Sequence, residues 1–136
     1  MKILAVCLAW LASLLPHHGN HGHAQRGRAT TFGPWHTAVG GGDRLAGHKA
    51  ACDYPSRRAR ATREELRLFR EGHFIASRTL PCFQVVTLCS EDSGRCGRGV
   101  VGDFGPARAM ADVWHSWARE LRHRGGFATL VVESQP

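Results

Sequence analysis

Behind Lys2 the chain runs apolar from Ile3 to Leu15, then turns polar through a histidine- and glycine-rich stretch to Gly22-His23-Ala24. A basic start, an apolar run and a small-residue end form the pattern of a secretory signal peptide, with the cut expected after Ala24. The run is too short to span a bilayer. No later segment approaches the roughly 20 apolar residues that a transmembrane helix needs. The sequence therefore predicts three parts: residues 1–24 as signal peptide, 25–60 as a basic, loop-rich segment with a first strand, and 61–136 as the main body. The expected location is exported, periplasmic or secreted. A 43% hydrophobic and 21% charged composition excludes a disordered or coiled-coil chain.

Export fits the cysteines. Cys7 leaves with the leader, and Cys52, Cys82, Cys89 and Cys96 remain, an even number for a small oxidised domain. Three pairings are open. Cys89 and Cys96 flank the polar turn Ser90–Arg95, which favours Cys89–Cys96 as a hairpin bridge and leaves Cys52–Cys82. A zinc site is the weaker rival, since the cysteines lack the usual close spacing. The histidines His36, His48, His73, His115 and His123 are scattered, so no metal is implied. Gly40-Gly41-Gly42 lacks the Lys-Ser/Thr and following helix of a phosphate loop, and no cofactor is implied either.

Without Lys2 the net charge is +6, carried almost wholly by arginine. Such a charge favours anionic surroundings; for an exported chain that means wall or envelope. Around Arg57, Arg58, Arg60, Arg63, Arg67 and Arg70 the only aromatic is Phe69. A single-stranded nucleic-acid site interleaves aromatics with its basic groups, so none is expected. Nothing in the pattern specifies an oligomeric state.

Residues 25–30 read as frayed, and Thr31–Val39 as a first strand broken at Gly33-Pro34. Residues 43–60 read as loop. Thr62-Arg63-Glu64-Glu65 has the form of a capping box, and a helix over 62–71 follows. Strand-like runs come at Phe74–Ala76, Phe83–Leu88 and Gly99–Val101. Met110, Val113, Trp114, Trp117 and Leu121 recur at helical spacing, predicting a helix over 109–123 with Asp112 at its N-cap and both tryptophans in the core. Phe127–Val132 reads as a closing strand. The order suits a small β-barrel decorated by short helices. Asp103 is expected to accept amides in the turn Gly102–Pro106.

Four segments in order, Ala76–Pro81, Val100–Pro106, Ala111-Asp112-Val113 and Gly125–Val132, resemble the double-psi β-barrel of the rare lipoprotein A family over roughly residues 73–133. Related barrels occur in barwin-like proteins and expansins. The resemblance implies a mainly β fold, a six-stranded double-psi barrel, and a peptidoglycan or other wall-polysaccharide partner. By motif, Asp112 matches the family's active-site aspartate and Asp103 a turn aspartate, while Ser77 stands where the family carries histidine. Counting back from Ser77 by the family's usual interval reaches Leu66, with Glu64 and Glu65 beside it; Glu65 is the candidate second acid. Arg78, next to Ser77, is a candidate binding residue with Asp103 and Trp35.

Two functions stay open on these grounds. One is a peptidoglycan-binding protein that also cleaves glycan strands as a lytic transglycosylase, with Asp112 as general acid. The other is a non-catalytic polysaccharide-binding or structural barrel. Serine cannot shuttle protons at neutral pH as histidine does, and any activity is expected to be weak.

Overall fold

The computed structural model describes residues 23–34 and 50–134. Six strands, β1 (Ala24–Phe32), β2 (Phe74–Ala76), β3 (Val85–Ser90), β4 (Cys96–Asp103), β5 (Ala111–Trp114) and β6 (Phe127–Val132), close a barrel in the order β1-β5-β2-β4-β3-β6. The pairs β1–β5 and β2–β4 are parallel and the remaining neighbours antiparallel. Three short helices accompany them: α1 (Pro55–Arg58), α2 (Arg63–Arg70) and α3 (His115–Glu120).

Both faces of the wall are apolar because successive strand residues point to opposite sides. Ile75, Val86, Leu88, Val101, Ala111, Val113 and Leu130 fill one cluster with Trp117 from α3. Their sequence neighbours Phe74, Ala76, Val85 and Val100 form a second cluster with Leu68 and Phe69 of α2. Aromatic rings join the second layer: Phe74 lies 4.9 Å from Trp114 and 4.8 Å from Phe69, centroid to centroid. A chain this small thus builds two apolar layers from one set of short strands.

Trp117 packs against β4 where the strand lacks side chains. A Cβ built on Gly99 would stand 2.6 Å from both the His73 carbonyl oxygen and the indole ring. Glycine there is what lets the strand approach β2 and the indole together.

The predicted capping box is present: the Thr62 hydroxyl accepts from the Glu65 amide at 3.2 Å, and the Glu65 carboxylate accepts from the Thr62 amide at 2.7 Å. Both predicted disulfides are formed, Cys52–Cys82 and Cys89–Cys96. The second joins directly opposed residues of the β3–β4 hairpin.

Three expectations are corrected. Residues 25–30 are not frayed but lie within β1, which pairs with β5 and β6, so the barrel draws one wall from the segment before residue 61. The helix expected over 109–123 is a strand followed by a helix of six residues. Ala111 and Val113 are buried in strand alternation before helical spacing takes over at Trp117, Ala118 and Leu121. Asp112 therefore does not cap a helix; Trp114 occupies that position on α3. Finally, Pro55–Arg58, read as loop, is one helical turn with Pro55 in its first position, where its missing amide costs nothing. Val39, Gly40-Gly41-Gly42, Trp35, His36 and His48 lie outside the described residues, as does the chain up to Gly22. Ala24 stands opposite Val131, so a cut after Ala24 would shorten β1 by one residue.

Candidate functional site

The motif residues converge where β2 ends. Ala76 is the register partner of Asp103 on β4 and of Asp112 on β5, so the two aspartates flank it across the sheet. Two interstrand spacings set their Cα atoms about 9–10 Å apart. Ser77 follows immediately, and its amide donates to the Asp103 carbonyl at 3.0 Å.

Their side chains divide sharply in availability. Asp103 is buried, and its Oδ1 accepts from the amides of Ala51 and Phe104, each at 2.9 Å. Its bond to the Phe104 amide lies in the turn, as expected; its bond to the Ala51 amide clips the segment after residue 50 to the end of β4. Ser77 is also buried, with Oγ accepting from the amides of Thr79 and Leu80 at 3.3 and 3.2 Å. Glu65 serves the capping box and is buried. Arg78 is exposed and donates to the Ala107 carbonyl at 2.7 Å. Asp112 is half-buried on β5, with Oδ1 shut off from solvent. The fold gathers Ser77, Asp103 and Asp112 at one end. Trp35 lies outside the described residues.

A groove of about 490 Å³ opens between the α1–α2 arm and Phe104, the residue after Asp103; Ser77, Asp103 and Asp112 are not among the residues that line it. Arg57, Arg60 and Glu65 line one wall; Cys82, Gln84 and Phe104 are among the residues of the other. Phe104 is 52% exposed, and the Arg57 guanidinium lies 5.1 Å from its centroid. Arg57 also donates to the Ala51 carbonyl, which fixes its position over the ring. Gln84 Nε2 donates to the carbonyls of Val85 and Glu133 at 3.1 and 2.8 Å. Phe83, in the groove's base, holds a φ of 65°, a backbone region costly for an aromatic residue. Its buried ring against Phe69 and its amide bond to the Val101 carbonyl keep it there.

Sequence reasoning missed Phe104, Arg57 and Arg60 as groove residues. Phe104 sits inside the turn motif already singled out, and an aromatic between Asp103 and Gly105 was the available signal. The arginines gave none, because the approach of Arg57 to Phe104 joins residues 47 positions apart in the chain.

Chemically, the groove offers an aromatic face, two guanidiniums and one carboxylate committed elsewhere. It can stack against a sugar ring and hold anionic groups. Inverting hydrolysis would need two free carboxyl groups separated by roughly 6.5–9.5 Å, and Asp103 is engaged with two amides. Among the described residues no group of three or more His, Cys, Asp or Glu side chains is placed to share a metal ion. No helix among them is long and apolar enough to cross a membrane. No family model matches the chain, and no curated protein matches it either.

Proposed function

We propose that this chain is an exported, wall-directed module of the double-psi barrel type that binds peptidoglycan glycan strands in the Phe104 groove and holds them without cutting. The exposed Phe104 ring, with Arg57 and Arg60 beside it, carries the reading. An aromatic face suits a pyranose ring, and guanidiniums suit the carboxylates borne by wall glycans and their peptides. Two disulfides agree with an oxidising compartment. The ordered motifs shared with the rare lipoprotein A family supply the substrate class. Binding is favoured over cleavage because Glu65, the one carboxylate lining the groove, accepts from the Thr62 amide, and Asp112 does not line it.

The test is incubation of the purified chain with intact and peptide-stripped sacculi. Sedimentation reads binding, and mass spectrometry reads soluble sugars. Binding without products is expected, with affinity falling at least tenfold in Phe104→Ala. Release of anhydro-sugar ends that disappears in Asp112→Asn would replace the holding module by a lytic enzyme. Failure to bind either form of wall would end the glycan reading.

A further inference from the structure

The opposite end of β4 carries a second polar depression. Its eight residues run from Cys96 at the hairpin to Asp103 at the groove, a span of about 23 Å at the usual rise per strand residue. Beyond Cys96, a hollow of about 450 Å³ is lined by Asp92, Ser93, Arg95, Arg122 and Arg124. It is rigidly framed. Ser93 Oγ donates to the Leu121 carbonyl at 2.5 Å, and Arg95 Nη1 donates to the Glu120 carbonyl at 3.0 Å. These bonds satisfy carbonyls at the end of α3 that would otherwise repel an anion.

The charges here are unbalanced. Asp92 Oδ2 accepts from the amides of Arg124 and Gly126 at 2.7 and 3.3 Å, and those bonds keep the carboxylate ionised below its ordinary range. The carboxylates on either side are engaged elsewhere: Glu91 with Arg26 and Glu120 with His73, each at 2.8 Å. Three arginines thus line the hollow with the one carboxylate of Asp92. Arg122 adds an independent sign. It has a φ of 49°, just past the end of α3, where helices usually place glycine. Arginine there puts a guanidinium on the hollow at the cost of a disfavoured backbone.

We propose that this hollow is a phosphate-binding site, in which Arg95, Arg122 and Arg124 grip a phosphate monoester at the end of the barrel remote from the glycan groove. A tetrahedral anion offers oxygens to more than two forked donors at once, whereas a carboxylate offers two. The excess positive charge also matches a phosphate better than a single carboxylate. The phosphate can be that of a lipid headgroup or of a soluble or polymer-borne ester.

Amide NMR of the purified chain, titrated with inorganic phosphate at constant ionic strength, tests the site. Saturable shifts at residues 92–95 and 121–126 are expected. Arg122→Gly should weaken phosphate binding at least tenfold while leaving the melting temperature unchanged or higher, because glycine suits the backbone there. Arg124→Gln should weaken binding similarly. Arg63→Gln removes the same charge from α2 and should leave binding unaltered. Sedimentation with phosphatidic acid against phosphatidylcholine vesicles separates the sources. Phosphatidic acid binding lost in Arg122→Gly assigns the site to a headgroup; phosphate binding without vesicle binding assigns it to a soluble or polymer-borne ester. No saturable shifts, or equal affinity in Arg122→Gly, or an equal loss in Arg63→Gln, would overturn the proposal.

Discussion

Replacing Cys52 and Cys82 together by alanine should destabilise the protein more than replacing Cys89 and Cys96. The bridges close loops of very different length, with sequence separations of 30 and 7. Loop-closure entropy then gives about 3.6 kcal/mol for the first and about 2.4 kcal/mol for the second at 25 °C. Burial pushes the same way, since Cys52 is fully buried whereas Cys96 is exposed. A difference of about 1.2 kcal/mol separates urea midpoints by roughly 0.4–1.2 M at the slopes usual for small domains. The assay is urea unfolding of both double variants, followed by fluorescence of the tryptophans. The long bridge also ties the segment bearing Arg57, Arg60 and Glu65 to the barrel at Cys82, so glycan retention should fall with it while the hairpin variant still binds. Equal midpoints, or a costlier loss at Cys89–Cys96, would refute the reasoning.

Three further outcomes are expected. Gly99→Ala should cost about 1–3 kcal/mol in chemical denaturation, because the new methyl meets a backbone oxygen and the Trp117 ring. Asp103→Ala should cost about 1–3 kcal/mol by leaving the Ala51 and Phe104 amides without their acceptor, and Asp103→Asn should recover part of that in the same assay. Glu64, Glu91 and Glu133 are held below their ordinary pKa by hydrogen bonds from Arg67, Arg26 and Arg98, and Asp92 by the Arg124 amide. The unfolded chain binds protons more readily at these groups, so their stabilisation is present above about pH 4.5 and is lost as pH falls through the lower folded values. Melting temperature measured against pH should therefore drop below about pH 4.5, less steeply at high salt.

Signals confined to a few neighbouring residues were readable in the sequence. The capping box at Thr62, the turn between Cys89 and Cys96, and the runs Phe74–Ala76 and Phe127–Val132 each specify their element locally. Signals that depend on distant partners were not. Arg26 and Arg28 make β1 look like a solvated tail, yet its residues pair with chain about 80 to 110 positions away. At 111–121 a strand and a helix run together, and the spacing of Val113, Trp114 and Trp117 satisfies a helical template across the join. The convergence of Ser77, Asp103 and Asp112 was anticipated only through their shared motif order. That Ser77 and Asp103 spend their oxygens on amides is a matter of side-chain direction, which spacing does not encode.

The neighbours of β1 carry a consequence for how the protein is made. Synthesis delivers β1 first, but it pairs only with β5 and β6, the last two strands of the barrel. Neither flank can zip until residues 111–132 have left the ribosome, so the first strand waits with both hydrogen-bonding edges open. Long-range pairing of this kind slows folding and leaves edges available to other chains. Arg26 and Arg28 sit on the waiting strand, and charged side chains on an open edge discourage mispairing. The arginines that disguise the strand in the sequence thus guard it during biosynthesis, and a chain truncated before Phe127 should aggregate rather than fold into a smaller barrel.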